Sequence, residues 1–349
     1  MSDVSLRLGV VVNPTAGRGR GKSAGVDVIA SLVDAGHHVF DLSGSTADLG
    51  LEHARRAVAD GLDALVVVGG DGMVHLGVQA VALTGTPLAI VAVGTGNDFA
   101  KKLGLPVRDP AECVSTLIGS LDAFEASIRE IDVICVTGPG LTQRKVAGEA
   151  VRWVAGAVSA GLDAAVNERA NSMLRPRGSS RYVVAALREI AAWDAWDYRL
   201  TFENVPGDDK QIADILSLDG FTDLGPEPDG DGRRLVWDSR GALVTAANGS
   251  HIGGGIPVAP QASIDDGYMD VVIAADVGRK GATVLFPQLL SGKHLGHKRV
   301  RVVRARTVHL DPTTHNGHSH IPSAFGDGEH LGTLPLKASI HPRGVRVLV

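Results

Sequence analysis

The chain has only two cysteines, Cys113 and Cys135, in 349 residues. Two thiols cannot build a disulfide framework, and this pair lacks metal-ligand spacing, so a reducing cytoplasmic setting is expected. No apolar run reaches the roughly 18 residues that a membrane-spanning helix needs. The opening Met-Ser-Asp-Val-Ser-Leu-Arg has no signal-peptide pattern. The expectation is a cytoplasmic protein whose membrane contact, where it exists, is peripheral. Excess positive charge is lacking too: the net charge of −5 argues against general nucleic-acid binding. No segment repeats at a fixed period. What is plentiful is apolar residue, 44% of the chain, together with 44 glycines, which suits tightly turned α/β structure with a sizeable core. The length prior is about two domains.

The organising stretch is Leu62 to Gly72. Leu65 to Val68 form a β-branched apolar run, the mark of a strand buried on both faces. It stops at Gly69-Gly70-Asp71-Gly72, after which Met73, Val74, Gly77, Val78 and Val81 recur at helical spacing. A buried strand, a glycine turn and a helix N-terminus together offer backbone N–H groups to phosphate oxygens, because missing Cβ atoms allow close approach. One carboxylate in such a place repels an anion unless it holds a cation or takes a proton, which singles out Asp71. The bland reading is a tight turn whose Asp caps the helix.

Two further exits have the same form. Leu6 to Val12 reads as a strand ending in Asn13-Pro14-Thr15-Ala16-Gly17, and Leu88 to Val93 ends in Gly94-Thr95-Gly96-Asn97-Asp98. The first loop fits no familiar phosphate fingerprint. Ala16 stands where a P-loop needs glycine, and Gly19-x-Gly21 begins too far beyond Val12 for a dinucleotide turn. Helices are expected from Ser23 to Ala35, from Thr46 onward and from Phe99 to Leu103, with a strand at His38 to Leu42. Three like exits belong at one edge of a parallel sheet, where such sheets bind ligands.

A boundary is expected near 133–145, giving an α/β nucleotide-binding domain over 1–135, with a return of C-terminal strands to it left open, and a β-rich, antiparallel, sandwich-like domain over 136–349 with a cleft between them. In the second half, extended segments are read at 150–158, 199–202, 212–218, 235–237, 243–247, 269–274, 300–303, 308–310 and 345–349. Helices are read at 180–192 and 278–290.

Asn13-Pro14-x-x-Gly17, Gly69-Gly70-Asp71-Gly72 and Gly94-Thr95-Gly96-Asn97-Asp98-Phe99-Ala100 occur in that order. Asn248-Gly249, Gly253-Gly254-Gly255, Ala259-Pro260-x-Ala262-Ser263-x-x-Asp266-Gly267-Tyr268-x-Asp270 and Asp327-Gly328-Glu329 follow. On these motifs the chain resembles the diacylglycerol kinase catalytic family, which includes soluble bacterial lipid kinases and the sphingosine kinases. The likeness covers nearly the whole chain. It implies a two-domain enzyme that uses ATP and Mg²⁺ to phosphorylate the hydroxyl of a membrane-derived lipid, in phospholipid metabolism. By motif position, Asn13, Pro14, Thr15, Ala16, Gly17, Thr46, Gly69, Gly70, Asp71, Gly72, Met73, Val74, His75, Thr95 and Asn97 would line the nucleotide. Glu329 would accept the proton. Asp266, with main-chain oxygens of Ser263 and Tyr268, would hold a structural Mg²⁺. The family usually has Thr after Gly-Gly-Asp-Gly and Asn-Glu shortly beyond; here Met73, His75 and Leu76 stand there.

A lipid alcohol loses its proton as it attacks, so a nearby carboxylate base helps; Glu329 and Asp71 are both open to that role. Asp132 and Asp98 are second-tier acids. Two alternatives stand beside the lipid kinase: a nucleotide- or lipid-binding protein of the same fold with weak or lost catalysis, and a kinase of a soluble acceptor such as NAD. His315, His318 and His320 read as a solvated loop rather than metal ligands. Lys298, Arg299, Arg301, Arg304 and Arg306 read as one charged strand face, with anionic lipid the competing explanation. Trp153, Trp193, Trp196 and Trp237 fit cores better than an acyl pocket. Oligomeric state stays open, a homodimer included.

Overall fold

The computed structural model describes residues 5–14, 16, 20–142, 151–173, 180–192, 195–228, 231–253, 255–313 and 321–349. The chain divides into two compact units, Met1–Val133 with Arg343–Val349, and Ile134–Pro342.

The first unit alternates strand and helix: β1 (Arg7–Val12), α1 (Arg20–Asp34), β2 (His38–Asp41), α2 (Ala47–Ala59), β3 (Ala64–Gly69), α3 (Asp71–Val81), β4 (Leu88–Ala92), α4 (Asp98–Lys102), α5 (Pro110–Asp122) and the start of β5 (Ile128–Thr137). Its strands are parallel, with β1 between β2 and β3, and β4 beyond β3. The chain's last strand, β16 (Leu336–Leu348), pairs with β4 at Val347 and Leu88. Leu65, Val66, Val67 and Val68 are all fully buried, so both sheet faces are covered, as a continuous β-branched run requires. Ala24, Val28 and Leu32 of α1 and Val114, Leu117 and Leu121 of α5 pack with Val66 and Val68. On α3, a Cβ at Gly77 would stand 2.5 Å from Leu88 Cδ1, so glycine sets how closely that helix approaches the sheet.

The second unit is β-rich: β6 (Val151–Val154), β7 (Ala157–Gly161), α6 (Leu162–Ser172), α7 (Ser180–Ala192), β8 (Trp196–Val205), α8 (Asp209–Leu216), β9 (Phe221–Pro226), β10 (Arg233–Ala247), β11 (Met269–Ala275), α9 (Gly278–Leu290), β12 (Val300–Ala305), β13 (Thr307–Pro312), β14 (Ser323–Gly326), β15 (Glu329–Thr333) and the first part of β16. Its pairings are antiparallel. β10 joins the halves: Arg233–Trp237 pairs with β9 and β8, and after a register shift between Gly241 and Leu243 the strand pairs with β7 and β11. Two segments read separately in the sequence, 235–237 and 243–247, are therefore one bent strand. A Cβ at Gly241 would stand 3.0 Å from the Trp237 ring, so the bend needs a small residue there. Trp237, Tyr198 and Phe202 fill the core. Trp196 lies with them, Trp153 is half-buried, and Trp193 lies outside the described residues.

Two further sequence expectations need correction. Residues 212–218, expected extended, belong largely to helix α8. Asp208 accepts the Gln211 N–H at 2.8 Å while the Gln211 side chain accepts the Asp208 N–H at 2.9 Å. Ile212 and Ile215 then share one buried face; the capping box outweighs the apolar composition that suggested a strand. Residues 150–158 are not one strand, because β6 and β7 break at Ala155-Gly156. Helix α6 had no sequence signal strong enough to read. Among the described residues no helix is long and apolar enough to cross a membrane.

Candidate active site

In the first unit, Val12 lies opposite Val68 and Gly69 opposite Ala92, so β1, β3 and β4 end together. The winding direction reverses between β1 and β3, the place where open α/β sheets bind ligands. Backbone bonds lace these exits together. Asn13 N–H donates to Val68 O (3.0 Å), Ala16 N–H to Asn13 O (3.1 Å), and Val93 and Gly94 N–H both donate to Gly69 O (3.0 and 3.1 Å). The two glycine loops touch: a Cβ on Gly94 would lie 2.5 Å from the Gly70 Cα and 2.6 Å from Asn97 Oδ1.

Asp71 ties the loops. Its Oδ2 accepts the Asn97 N–H (2.9 Å) and its Oδ1 the Phe99 N–H (3.2 Å). Asn97 is buried in the left-handed conformation (φ 57°), which Asn tolerates better than most residues. Its Nδ2 donates to Ala92 O and Gly94 O, both at 3.0 Å. Gly-Thr-Gly-Asn-Asp is thus a loop fastened by Asp71 from outside and Asn97 from within.

Gly72, Thr95 and Pro14 are exposed; Gly70, Asp71, Asn13 and Ala16 are half-buried and Gly69 is buried. Met73, Val74 and His75 are buried on α3, and the N–H groups of Met73 and Val74 donate to Gly70 O (2.8 and 3.2 Å). Thr46 caps α2, its hydroxyl oxygen accepting the Leu49 N–H at 3.2 Å. Thr15 and Gly17 lie outside the described residues, as do His315, His318 and His320. Asp98 pairs with Lys101 (3.0 Å), and buried Asp132 accepts the Arg343 N–H (2.8 Å). Those bonds give both second-tier acids structural roles.

In the second unit, Asp327 and Gly328 (φ 51° and 83°) form the two-residue turn between β14 and β15, the Asp-Gly hairpin chemistry that needs positive φ twice. The Asp327 carboxylate accepts N–H groups from Ala155 (2.9 Å), Gly156 (2.8 Å) and Ala157 (3.2 Å). Asn248 Nδ2 donates to Ala155 O (2.8 Å), and the Asn248 and Gly249 N–H groups donate to Gly156 O (both 2.8 Å). Two motifs about eighty residues apart therefore meet at Ala155–Ala157. Glu329 begins β15 opposite Gly326 and is exposed. Among the described residues its carboxylate has no hydrogen-bond or ion-pair partner.

Sequence reasoning missed Asp163, the second residue of α6. Burial pushes its carboxyl up to about 6, against a hydrogen bond from the Ser159 side chain that favours the charged form. The only available signal was its place just after Gly161, whose φ of 88° turns strand into helix. Because the folded value lies above the unfolded one, stability from this group is full below about pH 4 and is lost as pH rises to about 6. Asp163→Asn is accordingly expected to be more stable than the parent at neutral pH, by about 1–3 kcal/mol. That advantage should vanish near pH 4, as urea unfolding at the two pH values would measure.

Leu162, the neighbour of Asp163, lines an apolar cavity with Leu243, Val272, Leu285, Phe286 and Leu289. Among the described residues no tryptophan lines it. Among the described residues His294 is its one ionisable wall residue. Burial lowers the His294 pKa, holding the ring neutral. Its Nε2 bonds Val258 O at 2.8 Å, which places the ring proton there and leaves Nδ1 an acceptor. Among the described residues that Nδ1 has no partner.

The site expected for a structural Mg²⁺ does not fit one. Asp266 Oδ1 accepts the Tyr268 N–H (3.1 Å) and Oδ2 accepts Arg304 Nη2 (2.7 Å), so a guanidinium already neutralises this carboxylate. Among the described residues no group of three or more His, Cys, Asp or Glu is arranged to hold a metal.

Glycine loops gathered at the carboxyl edge of a parallel sheet form the kind of edge at which α/β proteins bind phosphate-bearing ligands. Comparison with known proteins agrees. Residues 7–136 match the Diacylglycerol kinase catalytic domain, and residues 156–349 the YegS C-terminal NAD kinase beta sandwich-like domain. The chain is 29% identical over 338 residues to "Diacylglycerol kinase" of Mycobacterium tuberculosis, covering 97% of this chain and 93% of that one. It is 28% identical over 262 residues to "Probable lipid kinase YegS-like" of Xanthomonas axonopodis, covering 73% and 70%. In structure it resembles a putative diacylglycerol kinase from Bacillus anthracis, with TM-score 0.68, 18% identity, and 100% and 98% of the two chains covered. This chain belongs to the diacylglycerol kinase family of lipid kinases and carries the YegS-type C-terminal domain.

Proposed function

We propose that the protein transfers the γ-phosphate of ATP to the hydroxyl of a diacylglycerol-like or sphingoid lipid. The observation that carries this reading is the apolar cavity of the second unit, since a soluble acceptor such as NAD has no use for walls of Leu, Val and Phe. Phosphates rest at the carboxyl ends of β1, β3 and β4, where Asn13, Gly69–Gly72 and Gly94–Gly96 allow close backbone approach. Thr46, Thr95 and the main chain of Met73, Val74 and His75 complete this binding edge. The lipid tail occupies the cavity.

Glu329 is the base and Asp71 the positioning carboxylate. Both Asp71 oxygens already accept N–H groups of the 94–99 loop, whereas Glu329 is exposed and its carboxylate has no partner among the described residues. Glu329 takes the hydroxyl proton as the alcohol oxygen bonds the γ-phosphorus and the bond to the β–γ bridging oxygen breaks. The products are ADP and a phosphate monoester of the lipid. A loose transition state asks mainly for positioning, which the fastened loops supply.

Narrowing the cavity tests the reading. Ala282 lies buried on α9 and lines the cavity. Ala282→Leu should raise KM for a long-chain lipid by about 10–200-fold, the range that a methylene-scale misfit produces, with KM for ATP unchanged. An unaltered lipid KM would contradict the assignment of the cavity.

A further inference from the structure

The loop Ser263–Asp270 carries two carboxylates that lie on one cation belonging to the chain itself. Gly267 (φ 76°) turns the loop into β11, and the Tyr268 N–H closes back on Asp266 Oδ1. Arg304, on β12, sits directly across the ladder from Asp270. Its Nη2 lies 2.7 Å from Asp266 Oδ2 and its Nε 3.6 Å from Asp270 Oδ1. The guanidinium carbon stands 4.8 Å from the Tyr268 ring centroid, and that of Arg306 stands 5.1 Å from the same ring. Asp270 is buried, and a buried carboxylate demands a countercharge.

We propose that Arg304 does here what a structural divalent cation would do: it bridges Asp266 and Asp270 and fixes the loop, so that this part of the fold is ordered without metal. The chemistry suits the task. A guanidinium keeps its charge at every working pH and offers separate N–H groups to separate carboxylates, while its flat face stacks on an aromatic ring. A hard divalent ion placed on Asp266 would have to displace a cation already bonded there. The inference concerns this loop alone, not the ion that accompanies a nucleotide's phosphates, and it does not depend on which lipid is phosphorylated. Arg304 is a positioning residue.

Thermal unfolding of the full-length protein without nucleotide, in EDTA and in millimolar Mg²⁺ or Ca²⁺, tests it. The parent should melt at the same temperature in all three, or show a rise that persists in Asp266→Asn and so does not come from this loop. Arg304→Met should melt about 2–4 °C lower in EDTA, the shift that about 1 kcal/mol gives a unit of some 150–250 residues, the size class of Ile134–Pro342. It should also acquire a rise with Mg²⁺ or Ca²⁺ that the parent lacks, because the two carboxylates are left without their cation. A stabiliser that acts by packing alone would confer no such cation dependence. Should Arg304→Met fail to fold, the parent and Asp266→Asn decide alone. A melting temperature of the parent that rises with Mg²⁺ and loses that rise in Asp266→Asn would overturn the proposal.

Discussion

Glu329→Gln is expected to lower kcat by about 10²–10⁴-fold, the range for loss of a positioned general base, with the melting temperature unchanged. The side chain is exposed and has no hydrogen-bond or ion-pair partner among the described residues, whereas Asp327, two residues earlier, carries the architecture through three backbone N–H groups. The amide keeps the shape of the side chain and removes only its capacity to accept a proton. Steady-state kinetics with a lipid acceptor, read beside a melting curve, separate the two effects. Asp71→Ala should behave differently. It releases the Asn97 and Phe99 N–H groups, so it should raise KM for ATP and lower stability together. If Glu329→Gln kept full kcat while Asp71→Ala lost catalysis without loosening nucleotide binding, the roles of base and positioning residue would have to be exchanged.

Gly94→Ala is the second substitution with a large expected effect. Its new Cβ would come 2.5 Å from the Gly70 Cα, backbone against backbone, where no side chain can swing away. Overpacking of this kind costs about 1–3 kcal/mol. The strain falls on the two loops proposed to hold the phosphates, so ATP binding by calorimetry should weaken more than global stability does. Gly119→Ala is the control. It lies on the exposed face of α5 with nothing within 4 Å of the added Cβ, and should be neutral or stabilising by about 0.4–1 kcal/mol. Equal ATP affinity in the parent and Gly94→Ala would argue against the paired loops as the phosphate site.

The parallel half of the fold was legible because each strand there is a short β-branched run ending at glycine, and burial on both faces leaves no other reading for Leu65 to Val68. The three exits could be placed at one edge from repetition alone. What could not be read is what the acids do. Asp71 resembles a cation ligand in sequence, but its carboxylate accepts N–H groups 26 and 28 residues onward, a relation with no local signature. Asp163 looks like an ordinary first-turn helix acid, and its raised pKa comes from burial that only the fold supplies. The β-rich half was harder. β10 bends through a bulge, so one strand read as two, and α8 was hidden because its capping box lies in residues 208–211, just before the apolar run that suggested a strand. Arg304 was visible only as part of a basic run, since its pairing with Asp266 and Asp270 depends on the register of β11 against β12.

The central claim is phosphoryl transfer from ATP to a hydrophobic alcohol. γ-Labelled ATP, incubated with the purified protein and separately with detergent-dispersed diacylglycerol, a sphingoid base, a glycolipid and dissolved NAD, tests it most directly once organic and aqueous phases are counted. The account predicts label in the lipid phase for at least one acceptor, abolished by Glu329→Gln, and none on NAD. Label on NAD alone, or on no acceptor while ATP still binds, would contradict it.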